Sequence, residues 1–260
     1  MPHAHTPLGA LRESITRIER RGAARNSAML RFDVAAIDEH LPGGGLRQAA
    51  LHEVAGAGLQ AEHGAAAAML VAGLLARRRG TVVWAMEQRD VFMPGLAAAG
   101  LHPDRVVFAE AGRSVLLVME EALQHRGLAG VVGEVGGRLG LTASRRLQLA
   151  AEASGVVAFA LRRTRMLDDP TLAEPNAAVT RWRVAALPSP PPLAHAGHVP
   201  GLARVRWRLD LMRCRGGVPG SWMVEGCDAQ GRLGLAADVE HRSAAPERVE
   251  GGWAAGDAAA

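Results

Sequence analysis

The glycines of HEVAGAGLQAEHG, residues 52–64, are the first place in this chain where residue type and spacing suggest chemistry. They follow an apolar run and precede an alanine-rich one, the order of a strand, a loop and a helix. Where a strand's carboxyl end meets the next helix's amino end, free backbone amides can hold a phosphate. The full phosphate-loop pattern asks for four residues between two glycines, then a lysine for the β- and γ-phosphates and a Ser or Thr for magnesium. Here Gly56 and Gly64 are separated by seven residues and Gly58 and Gly64 by five, and Ala65 and Ala66 follow Gly64. Glu62 adds negative charge. All 30 Lys+Arg residues are arginine, so no lysine exists anywhere to replace the missing one. A planar guanidinium needs different room from a slim ammonium. The loop therefore reads as degenerate, either inert or binding a nucleotide weakly, without the electrostatics of phosphoryl transfer.

Two acidic residues stand at strand ends, Glu87 after TVVWAM and Glu134 after LAGVVG. A general base and a magnesium-ordering carboxylate would occupy such positions in an ATPase, although solvent-facing strand ends commonly carry Glu or Asp. Farther on, Arg204, Arg206 and Arg208 alternate with Val205, Trp207 and Leu209, and Arg181 and Arg183 flank Trp182. A period of two places the arginines on one sheet face, as a basic stripe for DNA phosphates or an acidic partner, and the tryptophans on the opposite, core-facing side. A solvated face with local ion pairs would give the same pattern. His195 and His198 have no third ligand nearby, and Cys214 and Cys227 read as structural thiols, so no metal or other cofactor is expected.

These residues need elements to position them. Leu11, Ile15 and Ile18 recur at helical spacing within residues 8–25, predicting an amphipathic helix that docks on a partner or on its own domain. After the glycine-rich LPGGGL at 41–46 the pattern predicts a strand at 49–54, a helix at 65–79, a strand at 81–86 and a helix at 94–99 stopped by Gly100. It continues with a strand at 105–109, a helix at 114–125 capped by Ser114, a strand at 128–132, a helix from Thr142 to Ala153 ended by Gly155, and a strand at 156–161. Nearly continuous apolar strands separated by helices imply a doubly wound, mainly parallel α/β sheet buried on both faces. From residue 179 the turn signals GGVPG and DAQG between alternating runs predict an antiparallel extension. The organisation is thus a helix and linker over 1–27, a core over 28–240 and a patternless, disordered tail over 241–260.

Composition is consistent with this. A hydrophobic fraction of 48% in 260 residues fills a sizeable core. The longest apolar stretch, residues 65–76, is too short to span a bilayer. With two cysteines and no apolar leader, a cytoplasmic protein is expected. A formal charge of +4 suits nucleic acid or acidic partners without demanding them.

Taken in order, these segments resemble RecA and, more closely, the ImuA family. LPGGGLRQAALHEVAG at 41–56 is similar to the RecA segment entering the phosphate loop, TVVWAMEQRD at 81–90 to the strand ending in the catalytic glutamate, and GVVGEVG at 130–136 to the magnesium-side strand. RWRLDLMRCRGGVPGSWMVEG at 206–226 is the stretch most characteristic of ImuA. The resemblance covers roughly residues 30–237. It implies a RecA-like fold with its antiparallel extension and an accessory role in SOS-induced, error-prone translesion synthesis, beside an ImuB-like protein and an error-prone polymerase, with contact to RecA. The departure at the phosphate loop speaks against catalysis. Two alternatives stay open, an atypical ATPase in which Arg89 or a partner supplies the missing charge, and a cell-division inhibitor of the SulA type.

Overall fold

The computed structural model describes residues 29–164, 166–193, 199, 201 and 203–235. The helix expected over 8–25, the two histidines at 195 and 198 and the tail from 241 lie outside them.

A small antiparallel pair, β1 (Met29–Leu30) and β2 (Leu46–Arg47), flanks a four-residue helix α1 (Ala35–Asp38). The main chain then alternates through β3 (Leu51–Gly56), α2 (Gln60–Ala76), β4 (Val82–Met86), α3 (Met93–Ala98), β5 (Val106–Glu110), α4 (Val115–Ala122), β6 (Gly130–Gly136), α5 (Leu141–Ser154) and β7 (Ala158–Arg163). Four more strands follow, β8 (Thr180–Leu187), β9 (Arg206–Cys214), β10 (Gly220–Glu225) and β11 (Gly234–Leu235). They form one nine-stranded sheet in the order β11-β10-β9-β8-β3-β7-β6-β4-β5. Pairing is parallel from β8 to β5 and antiparallel from β8 to β11. The mainly parallel sheet with its antiparallel extension is the architecture the sequence predicts.

Strand alternation divides the apolar residues between two faces. On one, Val54, Trp84, Val132, Phe159, Trp182 and Trp207 pack with Leu70 and Leu74 of α2 and with Phe32, Ile37 and Leu41 from the amino-terminal segment. On the other, Leu51, Ala85, Val131, Val135 and Ala158 pack with Met119 of α4 and Leu147 and Ala151 of α5.

Several boundaries differ from expectation, each for a physical reason. β3 begins at Leu51 rather than residue 49, its amide taken by Gln148 Oε1 at 2.8 Å, and runs through Ala55 and Gly56, which pair with β7 and β8. α2 begins five residues early, at Gln60, because Leu59 O accepts from the Glu62 and His63 amides, and it ends at Ala76. β6 extends through Glu134 because partners satisfy the buried carboxylate, and β7 extends to Arg163 because Glu53 neutralises Arg162. α4 is shorter than 114–125, and Ser114 holds its N-cap position without a side-chain capping bond. Gly140, not Thr142, is the N-cap of α5; Ser144 instead turns its hydroxyl back onto Gly140 O. Gly100 and Gly155 do stop helices, at φ +91° and +80°, conformations that a Cβ disfavours.

Candidate functional site

Only Ala57, Gly58 and Leu59 separate β3 from α2, so residues 60–64, read from sequence as loop, are helix. Hydrogen bonds fasten the short connection at both ends. The Ala57 amide donates to Val184 O at 3.0 Å and the Gln60 amide to Thr164 O at 3.1 Å, while the Thr164 hydroxyl donates to Gly58 O at 2.7 Å. Each of the three candidate glycines has a close side-chain neighbour. A Cβ on Gly56 would stand 3.0 Å from the His63 Cβ, one on Gly58 3.1 Å from the His63 ring, and one on Gly64 would collide with the Gln60 carboxamide. His63 is held in turn by the Ala186 amide, which donates to its Nδ1 at 3.2 Å. Glu62 points into solvent, and Ala65 and Ala66 offer neither ammonium nor hydroxyl.

Beside this loop, at the carboxyl edge of the sheet, lies a cleft of about 800 Å³. It brings together Glu87 and Glu134, as their positions at strand ends predict, along with Gln60, Asp90, Arg163 and Asp169. Glu134 is buried on β6. It accepts from the Trp84 indole N–H at 2.8 Å and pairs with Arg163 Nη1 at 3.2 Å. Burial raises its pKa above the ordinary carboxylate value, while Arg163 and the Trp84 bond oppose the rise. Arg163 also pairs with Asp90 in the segment after β4. Its guanidinium thus bridges two carboxylates inside the cleft. Sequence reasoning misses this residue, because an arginine-rich run at the end of a strand offers no specific signal.

A second buried cluster joins the parallel and antiparallel parts of the sheet. Glu53 on β3 accepts from Arg162 Nη1 at 2.8 Å, Arg181 Nε at 2.8 Å and Asn176 Nδ2 at 2.6 Å. Next to it His52 is fully buried. Its Nε2–H donates to Arg47 O at 2.8 Å, and its Nδ1 accepts from the Thr180 hydroxyl at 2.8 Å, which in turn accepts from the Trp182 indole at 2.9 Å. Burial lowers the His52 pKa from 6.5 to about 4, so the ring is neutral at physiological pH.

Arg181, Arg183, Arg206 and Arg208 are on one sheet face, with Trp182 and Trp207 buried on the other, while Arg204 precedes β9. Most of the stripe's charge is compensated within the protein, however. Arg181 is committed to Glu53, Arg208 pairs with Asp210 at 3.0 Å, and Arg204 lies 3.5 Å from Glu225. Among the described residues Arg183 and Arg206 have no carboxylate within 4.0 Å. Leu11, Ile15 and Ile18 are outside the described residues. No three His, Cys, Asp or Glu side chains converge to hold a metal ion among the described residues. No helix among them is long and apolar enough to cross a membrane.

This strand order, with a strand-loop-helix at the centre of a parallel sheet and an antiparallel extension, defines a RecA-like domain. The crystal structure of the RadB recombinase is similar, with a TM-score of 0.55 and 16% identity, covering 80% of this chain and all of that one. At that identity the likeness shows the fold alone. Over 218 residues the chain is 39% identical to Protein ImuA of Caulobacter vibrioides strain NA1000 / CB15N, and equally to that of strain ATCC 19089, covering 80% of this chain and 87% of either relative. The chain belongs to the ImuA family. No family model matches it.

Proposed function

We propose that this chain is a non-catalytic, RecA-like accessory protein of DNA-damage-induced mutagenesis, acting in the cytoplasm in a translesion-synthesis complex with an ImuB-like protein and an error-prone polymerase, and contacting RecA. Kinship with ImuA supports the setting. The observation that carries the non-catalytic reading is the three-residue loop between β3 and α2, whose Gln60 amide is bound to Thr164 O where a phosphate would need it. Nucleoside triphosphate and magnesium do not fit these residues, since cation, hydroxyl and loop length are all missing. Arg163 already supplies positive charge to Glu134 and Asp90.

Tagged protein recovered from damaged cells is expected to bring down the ImuB-like protein; recovery of neither it nor RecA would remove the main support for this setting. Calorimetric titration with Mg-ATP is expected to give no saturable heat. The ATPase reading keeps one observation in its favour, the cleft that holds both Glu87 and Glu134. Saturable binding with turnover abolished by Glu87→Gln would put that reading in first place.

A further inference from the structure

Strands β6, β4 and β5 lie side by side and parallel, so the residues immediately before them meet at one edge of the sheet. Those residues are Arg126 to Ala129, Arg78 to Thr81, and Arg105. Hydrogen bonds join the three segments: Ala129 N donates to Thr81 O at 2.8 Å, Arg78 Nε donates to Ala129 O at 2.6 Å, and Arg105 Nη2 donates to Gly80 O at 2.9 Å. A groove of about 350 Å³ continues the same surface past Arg77, Arg78 and Arg79 to Arg31, lined also by Met29, Gln48 and the carboxylate of Asp33, with Arg31 itself 3.4 Å from Asp38.

Helix capping accounts for only part of this charge. Carbonyls left open at the end of α2 attract cations, and Arg105 meets that need by donating to Ala76 O at 2.9 Å and to Arg78 O and Gly80 O. Arg77 is tied to Asp33, which is held at φ +58° while its own amide and that of Phe32 donate to the Asp38 carboxylate. What remains is Arg78, Arg79 and Arg126, none with a carboxylate within 4.0 Å among the described residues. Arg79 and Arg126 are exposed. Burial alone lowers the Arg78 guanidinium below its ordinary value, with no neighbouring acid to raise it. The segment preceding Met29 adds five arginines against two glutamates to the chain's basic balance.

We propose that this amino-terminal edge of the sheet, centred on Arg78, Arg79 and Arg126 and extended by the Arg31–Arg77 groove, binds the phosphate backbone of a nucleic acid. It is the end of the sheet opposite the Glu87–Glu134 cleft. A cluster of guanidinium groups around exposed glycines, Gly80 and Gly127, gives phosphates both charge and close backbone approach, without base-reading geometry. Binding there is sequence-independent and driven by counterion release.

Fluorescence anisotropy of the purified full chain with a labelled single-stranded oligonucleotide and, in a second arm, its duplex tests this. The wild type is expected to bind at least one of them, with log affinity falling linearly in log salt. Arg79→Glu/Arg126→Glu is expected to weaken binding at least tenfold, with an unchanged melting midpoint. Its salt slope should fall by roughly 0.7 per lost contact on the single strand or roughly 0.9 on the duplex. Arg79→Lys/Arg126→Lys should restore most of the affinity. The proposal is overturned if neither oligonucleotide binds, if the charge-reversed pair retains wild-type affinity, or if Arg208→Glu abolishes binding while that pair does not. Binding of labelled polyglutamate but of neither oligonucleotide would overturn it in favour of an acidic protein segment. Because no partner protein is present, the result is independent of the complex proposed above.

Discussion

At their amino ends β4, β5 and β6 follow Arg78 to Thr81, Arg105 and Arg126 to Ala129; at their carboxyl ends they run into Glu87, Glu110 and Glu134. The same three strands therefore carry guanidinium groups at one edge and carboxylates at the other. In an open parallel sheet the carboxyl edge is the usual ligand site, because helix amino ends converge there. Here the buried part of that edge is neutralised from within, while Glu87 and Glu110 are exposed and have no cation within 4.0 Å among the described residues. Arg163 serves Glu134 and Asp90, and the Ala57 and Gln60 amides serve carbonyls. At the amino edge the needs of the helix ends are met by Arg105, and positive charge is left over. A fold's customary site and a particular chain's free binding capacity can thus lie at opposite ends of one sheet.

The comparison can be broken most severely at Trp84, fully buried and the donor to Glu134. Trp84→Ala is expected to cost about 3–5 kcal/mol in urea unfolding, from the cavity together with the loss of the indole's hydrogen bond to the buried Glu134 carboxylate. A smaller loss would mean that the carboxyl edge repacks without its central aromatic.

Next in size is a pH effect at the amino end of β3. The His52 pKa is about 4 in the folded protein against 6.5 in the unfolded chain. A lowered folded-state value favours the neutral ring, so its contribution is complete above pH 6.5 and is lost as pH falls toward 4. The expected loss is about 3 kcal/mol, since each tenfold drop in proton affinity on folding corresponds to about 1.4 kcal/mol. Melts at steps of pH should show this slope, and His52→Gln should flatten it.

Arg105→Met separates capping from binding at the amino edge. Loss of its bonds to the carbonyls ending α2 is expected to cost about 1–3 kcal/mol, read as a lower melting midpoint. Arg163→Met makes the matching cut at the carboxyl edge. With about a quarter of its side chain exposed, its removal is expected to cost about 1–2 kcal/mol, less than a fully buried pair would. It should also raise amide exchange in the segment after β4 that Asp90 anchors. Should Arg163→Met also acquire Mg-ATP binding, the carboxyl edge would be an occluded nucleotide site rather than a lost one. The smallest effect belongs to Arg79→Glu, exposed and unpaired among the described residues, expected within about 0.5 kcal/mol of wild type.

Much of this is legible in the sequence. The apolar runs TVVWAM and VVAFAL are strands because nothing but a sheet covered on both faces buries them, and the helices between them force parallel pairing. Alternation around Trp182 and Trp207 places the tryptophans in the core. The missing lysine and hydroxyl are plain as well. What escapes is the fate of residues 60–64: glycine and polar residues read as loop, yet Leu59 O and Thr164 O take up the amides and the helix starts early. Equally hidden is the partner of each arginine. Arg181 and Arg208 alternate just as a free basic stripe would, and only strand pairing brings Glu53 beside the first, while Asp210, two residues along, is turned back onto the second.

The order of elements, the identity of the two buried faces and the lack of the phosphate-loop residues are all written in the chain, because periodicity and residue type are local properties. Which charges are neutralised is a matter of tertiary structure. Arg163 is committed to Glu134, brought beside it by the pairing of β6 with β7, and Arg105 to the end of a helix 29 residues earlier. At the amino edge Arg78, Arg79 and Arg126 are left over. Whether a charge is available to a partner depends on what the fold sets within 4 Å of it, and spacing along the chain does not contain that distance.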